Sequence, residues 1–554
     1  YKRQAPNRPP VVNGFTDAPD FSVKRGLFTD PVTVALTTNT ETAVIRYTTD
    51  ASVPDATSPV YSVPLVIGGT TVLRAAAFRE GWATSTVKTH TYIFPVQVVG
   101  QPAAPAGFPS TWGNQYDYNA GTLTGPVVPA DYRMDPAVTG NPVYAPLMVT
   151  ALGGTLPVVS LAAEPDELFA FDTGIYANGR MSPTELGASV EYFNPLDPTG
   201  TEKFQENVGL RMHGGNAPID HPKKPFRLYF RKEYGVDRLR YPLFPGSEVE
   251  EFDKLQLRPG GHDGWAVPFG SADNDLAPHA TYLRDRFLRQ TELDMGRLSH
   301  RGRYVHLYIN GLYWGVYDLH EVISSEFFAS HKGGAEADWD VYEHSNTSNP
   351  LFDVVEGTSA AMDAALALVR PATNASNPAV YAAIERYVPL DEFIDHMLVQ
   401  MWGGQNDWMG PVFRGIPGAG MTDASRFFNK NWESGRRSRG LLPEDGLYWQ
   451  VWDAEISMGS SLTSLVTTMR VTDFNHTLVG TPATEIARVA GTPGPPAELW
   501  YALRKNNGDF RRRVSDRIQR RFFNGGAMSV AAMQARLQIC LLYTSPSPRD
   551  RQKS

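Results

Sequence analysis

The chain is poor in cysteine, in long apolar runs and in net charge. Cys540 is its only cysteine in 554 residues, so no internal disulfide can form, and a zinc ribbon is excluded. This scarcity neither requires nor forbids export. No apolar run is long enough to span a bilayer. A formal charge of -8 is modest for this length and argues against a dedicated nucleic-acid binder. Neither a strand followed by GxSxG nor an HExxH pair occurs, which removes the α/β-hydrolase and zincin readings. Turn formers, by contrast, are plentiful. The 49 Gly and 43 Pro favour strands and irregular loops over helix bundles. With 42% hydrophobic and 20% charged residues the composition is globular, and two compact domains with connecting segments are expected.

Residues 13–94 read as all-β. The runs DPVTVALTTN, TAVIRYTTD, PLVIGG, TTVLRAAAF and KTHTYIF are short, β-branched and separated by turn residues, which predicts a small Ig-like sandwich. Through its IRYTTD turn, SPVY segment and TTVLRAAAF strand, this stretch resembles the chitobiase/β-hexosaminidase C-terminal-type module. The resemblance implies an accessory module on an exported enzyme, with glycan or cell-surface contact as a role; a spacer without a ligand is the alternative. Residues 95–129, rich in Pro, Gly, Ala and Asn, read as a linker.

A larger α+β domain is expected over 130–539. VEYFNP, VGLRMHGG and PFRLYFRKEYG alternate like strands. Asn310-Gly311, the preferred type I′ pair, predicts a hairpin over Tyr304 to Glu321. LDEFIDHMLVQMW places Phe393, Ile394, Met397, Leu398 and Met401 on one helical face and should stop at Gly403-Gly404. ELWYALRKNNGDFRRRVSDRIQRRFF and SVAAMQARL read as a helical C-terminal part with basic solvent faces. Residues 540–554, with LLYTSPSPRDRQKS from Leu541, resemble a translated sequencing-adapter read-through of the kind that ends metagenomic contigs, and are expected to be a non-native tail; a disordered Ser/Pro/Arg tail is the alternative. The chain begins at Tyr1 rather than Met, so an export signal is not observable.

Three stretches could carry chemistry. In YWQVWDAEISMG, a strand would turn Asp453 and Glu455 to one face, roughly 7 Å apart, with Trp452, Ala454 and Ile456 on the other. Two such carboxylates suit one or two Mg²⁺ ions carrying phosphates; equally, they suit structural acids bridged to arginines. Asp407 follows the helix in GGQNDWMG, where a loop acid can be held rigidly yet open to a ligand, or simply form a turn. In HPKKPFRLYF, Lys223 and Lys224 could neutralise nucleotide phosphates or be a solvated edge. Upstream, Gly214-Gly215 could approach phosphates through backbone N–H groups, although this is not a Walker loop. Glu321 at the hairpin end could pair with a lysine or be a surface acid. His213, His221 and His262 are scattered and read as hydrogen-bonding residues.

The order LPVVSL, LFAFDTGIYANG, SVEYF, VGLRMHGG, KKPFRLYFRKEYG, YPLFPG, LQLRPGGHDGW, LRDRF, VHLYINGLYWGVYDLHE, NDW, NKNW, WDAEISMG resembles the CotH (spore-coat protein H) kinase family, over about Leu156 to Gly459. The resemblance implies a bacterial, secreted or cell-envelope atypical protein kinase that uses ATP and Mg²⁺ (or Mn²⁺) to phosphorylate Ser/Thr of a protein substrate. It implies that Lys224 contacts the α/β-phosphates with Gly214 and Gly215 nearby, and that Glu321 orients the lysine. Asp407 would position the acceptor hydroxyl, Asp453 and Asn431 would bind metal, and Glu455 would support a second ion. Phosphoryl transfer needs such positioning and charge neutralisation more than covalent chemistry. Three departures stand out. HGGNAPIDHP lacks the family's Ser and Arg; GPVFRGIPGAGMTDASRFF is an apparent insertion that must loop out if Asn431 is a ligand; Glu455 replaces an aspartate. These departures motivate the alternative of a non-catalytic pseudokinase that binds glycan or matrix. Glycan hydrolysis ranks below both, since an i, i+2 acid pair does not straddle a sugar bond. The fold expectation is therefore multidomain: an all-β Ig-like sandwich, then an α+β atypical protein-kinase-like domain with a helical C-terminal part.

Overall fold

A computed structural model of the chain describes residues 12–115, 117, 120, 122–179, 184–214, 221–264, 280–345, 352–405, 408–410, 428–439, 445–458 and 494–543. Among these, two compact units are formed. The first runs through Arg238 and includes Tyr304–Tyr317; the second holds Leu239–Arg303 and the chain from Asp318 on.

The first unit begins with the expected β-rich segment. Gly26–Leu27, Lys88–Ile93, Thr71–Phe78 and Val44–Thr48 form a four-stranded sheet in that order, flanked by the ladders Val32–Val34 with Leu65–Ile67 and Asp20–Phe21 with Leu36–Thr37. Phe21, Val34, Leu36, Ile45, Ile67, Leu73, Ala75, Ala77, Tyr92 and Phe94 make one core. TTVLRAAAF is apolar almost throughout because both of its faces are covered. Leu73, Ala75 and Ala77 face that core, whereas Val72 packs with Ala51 and with Ala162 of the strand Val158–Ala163.

Val158–Ala163, Leu186–Phe193, Lys203–Met212 and Phe226–Tyr229 follow as successive antiparallel neighbours, and His306–Ile309 runs parallel to Val158–Leu161. The hairpin forms as its turn pair predicts: Gly302–Ile309 and Leu312–Glu321 flank Asn310 and Gly311, with φ of 48° and 82°. Asn310 also exchanges two hydrogen bonds of 2.9 Å with the backbone of Ala163.

The 95–129 stretch, expected as a linker, is packed structure within this unit. It holds the helix Pro95–Val99 and the pair Thr111–Asn114 with Val127–Pro129. Gln101 is buried, accepting from the Tyr313 N–H at 2.8 Å and donating to the Tyr132 carbonyl. The module is likewise bonded to the strands that follow. The guanidinium of Arg25 lies 2.6 Å from the buried Glu191, which also accepts the Thr91 N–H at 3.0 Å, and the Thr91 and Ser160 hydroxyls are 2.8 Å apart.

In the second unit, Phe352–Glu356, Trp339–His344, Trp432–Arg437 and Tyr448–Val451 form an antiparallel sheet in that order, and Lys254–Arg258 pairs with Asp318–Glu321. The helix Leu390–Gly403 buries Phe393, Ile394, Met397 and Leu398 and ends at Gly404, φ 58°, as its sequence predicts. Its other side is buried too. There Asp395 accepts from Arg517 at 2.9 Å and Arg521 at 2.6 Å, both on the helix Gly508–Phe522, and His396 lies 3.0 Å from Glu292 on the helix Arg284–Asp294. The polar positions are occupied by partners rather than water, which no periodicity reveals. The last described helix is Val530–Tyr543, so Cys540 is buried within a helix that extends into the stretch expected as a tail.

Candidate functional site: an acid pair on one arginine

The strand carrying the acid pair is shorter than its sequence suggests. It ends at Val451, opposite Trp432 on the neighbouring strand. Beyond that register both chains turn sharply: Asn431 has φ 57° and Asp453 has φ 50°. Left-handed backbone at non-glycine residues is costly and persists where surrounding contacts enforce it. Here the Ala454 N–H donates to Asp285 at 2.9 Å, drawing the chain off the ladder. The expected two-residue alternation along a strand is thus overturned, yet the carboxylates still converge.

They converge on Arg258. Its Nη2 lies 2.5 Å from Asp453 Oδ1 and 2.6 Å from Glu455 Oε1. The other oxygen of Glu455 accepts the His262 backbone N–H at 2.8 Å. Gly261 permits this approach: its φ is 44°, and a Cβ there would fall 2.1 Å from Glu455 Oε2. Glu455 is buried at 4% exposure, whereas the Asp453 side chain is 32% exposed, and its Oδ2 has no partner among the described residues. Burial pushes the Glu455 carboxyl up to about 7, against the pull of Arg258. Burial lowers Arg258, but Glu455 and Asp453 outweigh it and hold the guanidinium well above its ordinary value.

Beneath the pair lies a second charge row. Asp285 meets Arg289 at 2.8 Å, Arg289 also bonds Asp318, and Arg286 lies 3.1 Å from Asp318. Burial raises Asp285, but Arg289 and Arg258 overcome it and hold the carboxyl down at about 2. His300 and His320 pack against Trp452 at 5.5 and 6.1 Å, and burial keeps both imidazoles neutral.

Asp407 and Asn406 lie outside the described residues. Their neighbours do not. Gln405 donates to the carbonyls of Asp453 at 2.9 Å and Trp452 at 3.2 Å, and Trp408 accepts the Lys430 N–H at 2.9 Å. Gln400 donates to the Asn431 carbonyl at 3.3 Å. Residues 411–427 of the insertion are also outside, but its base is closed: Met409 pairs with Asn429 and Gly410 with Phe428.

Lys223 and Lys224 belong to the first unit and are buried, not a solvated edge. Lys223 Nζ donates to the Val316 carbonyl at 3.2 Å and lies 4.7 Å from the Tyr317 ring centre; Lys224 Nζ lies 5.6 Å from that of Tyr176. The Tyr317 hydroxyl donates to the Lys224 carbonyl at 3.2 Å. Gly214 has φ 126°, and Gly215 is outside the described residues. Glu321, in the second unit, is buried rather than a surface acid. Its oxygens meet His331 at 2.8 Å and the Arg301 N–H at 2.7 Å.

The residues that sequence reasoning passed over are Arg258, Gln405 and Asp285; His262, read as a hydrogen-bonding residue, bonds Glu455 through its backbone N–H. Arg258 and His262 stand in LQLRPGGHDGW, where an arginine just before a Pro-Gly-Gly turn was the available signal. Among the described residues no three His, Cys, Asp or Glu side chains gather to hold a metal, so Asp453 would need other oxygen donors. No described helix is long and apolar enough to cross a membrane.

Two family models match the chain. Residues 210–461 match that for CotH kinase protein, and residues 23–89 match that for the chitobiase/beta-hexosaminidase C-terminal domain. The resemblances and their order are those read from the motifs, and the first match spans Gly214, Lys224, Arg258, Glu321, Asp407, Asn431, Asp453 and Glu455. No curated protein matches the chain.

Proposed function

We propose that the chain is a CotH-type atypical protein kinase. It transfers the γ-phosphate of ATP to Ser or Thr of exported or cell-surface proteins, with Mg²⁺ or Mn²⁺. The observation that carries this reading is the open Asp453 Oδ2, set at the ladder end that also bears Asn431 and is tied to Gln405, two residues before Asp407. A carboxylate oxygen and an amide oxygen are donors suited to a hard divalent ion. Asp453 and Asn431 would hold that ion, which supplies charge neutralisation for the phosphates.

In this reading Asp407 orients the acceptor hydroxyl and takes its proton as the hydroxyl oxygen bonds to the γ-phosphorus and the β–γ bridge breaks, releasing ADP. Lys224 neutralises the α/β-phosphates near Gly214 and Gly215; Glu321, expected to orient it, is instead bonded to His331 and the Arg301 N–H. Glu455, with both oxygens engaged, holds Arg258 against Asp453, and a second ion there would have to displace those contacts. The test is incorporation of labelled phosphate from ATP with Mg²⁺ or Mn²⁺ into the chain or an added protein. Labelling lost in Asp453→Ala supports the kinase, and equal labelling of both proteins, or of neither, overturns it.

One observation favours a second reading. Both acids already share one arginine as partner, as in a pseudokinase that binds glycan or matrix without turnover. Retention on glycan without ATP- and metal-dependent thermal stabilisation would select it.

A further inference from the structure

We infer that Arg258 makes the Asp453 site take a divalent ion only as its nucleotide polyphosphate complex, excluding the free ion. This rests on the kinase reading above.

Arg258 uses a single nitrogen, Nη2, for both Asp453 Oδ1 and Glu455 Oε1. Its Nε and Nη1 make no bond among the described residues, and its side chain keeps 13% exposure. The only open carboxylate oxygen of the pair, Asp453 Oδ2, is therefore one carboxyl width from a fixed positive charge. Asp453, Glu455 and Asp285 face Arg258 and Arg289; Lys430 and Asp353 lie on neighbouring segments, and His344 beside them is neutral. A bare divalent ion at Oδ2 gains one carboxylate and is repelled by the guanidinium. Bound to a triphosphate, the same ion would carry net negative charge, and Arg258 Nε and Nη1 would be donors left for phosphate oxygens. One residue thus opposes the free ion and favours the complex.

The test is Mn²⁺ binding to the full chain by electron paramagnetic resonance, alone and with a non-hydrolysable ATP analogue, in wild type, Arg258→Met and Arg258→Lys. Arg258→Met is expected to bind free Mn²⁺ about tenfold tighter and the Mn²⁺–analogue complex about tenfold weaker. Arg258→Lys, which keeps the charge but loses the fork, should still exclude free Mn²⁺ while weakening the complex, and it decides the matter if the methionine variant does not fold. If the wild type binds the complex and both variants keep its preference over the free ion within about twofold, Arg258 has no such role. If the wild type binds no complex at all, the kinase reading fails and this inference falls with it.

Discussion

The buried side-chain amide of Gln405 donates to the main-chain carbonyl of Asp453 at 2.9 Å, fastening the segment that leads into Asp407 to the backbone of the open acid. The same amide reaches the Trp452 carbonyl at 3.2 Å. A helix end and a strand end, 48 residues apart in the chain, are thereby held as one piece.

Gln405→Leu keeps the volume but leaves two carbonyls without their donor. The expected cost is about 1–3 kcal/mol of stability, read from urea unfolding. Phosphate incorporation should fall further than stability explains, on the order of 100-fold, because small displacements of catalytic groups are costly. An unchanged rate would show that Gln405 does not set the spacing of the two acids.

Gly261→Ala places a Cβ 2.1 Å from Glu455 Oε2, at φ 44°. The backbone must shift and the His262 N–H bond to Glu455 must lengthen or break. A loss of about 1–3 kcal/mol in thermal unfolding is expected, with phosphate transfer reduced alongside. Gly296→Ala is the control for the φ effect, since it also has positive φ, 78°, but nothing lies within 4 Å.

Arg25→Met removes the cation from the buried Glu191, which among the described residues then retains its Thr91 donors. Losing one partner of a buried pair costs about 3–5 kcal/mol. Hydrogen exchange should then rise in residues 88–93 and 158–163 together. A rise confined to the N-terminal module would show that it unfolds independently of the strands beside it.

Acid should destabilise the first unit in a defined window. His306 Nε2 donates to the Ala151 carbonyl at 3.0 Å, and Nδ1 lies 3.1 Å from the Tyr313 hydroxyl. Burial lowers its pKa from 6.5 to about 4. Between these values the unfolded chain binds a proton that the folded chain refuses, so stability is complete above pH 6.5 and is lost as pH falls towards 4. The slope from this residue is about 1.4 kcal/mol per pH unit. His306→Gln should remove about one proton from the measured pH dependence of urea unfolding, and an unchanged slope would refute the assignment.

The sequence by itself determined what a few neighbouring residues can encode. Asn310-Gly311 specifies its own turn, because both positions adopt left-handed backbone cheaply. The apolar spacing of Phe393, Ile394, Met397 and Leu398, with Gly404 behind it, specifies a helix and its end. The β-branched runs of 13–94 specify strands, and the order of the later motifs carries the CotH resemblance. Only the tertiary structure decided where the acids of WDAE go. Their alternation predicts a shared strand face, but the ladder stops at Val451 because its partner strand begins at Trp432. Their counter-ion is Arg258, 195 and 197 residues away, and Glu455's backbone donor is His262. Lys223 and Lys224, which look like a wet basic edge, are enclosed by Tyr317 and Tyr176. Turn chemistry and periodicity act over a single turn or strand and are therefore local. Which charge a buried carboxylate meets depends on segments that only the folded chain brings together.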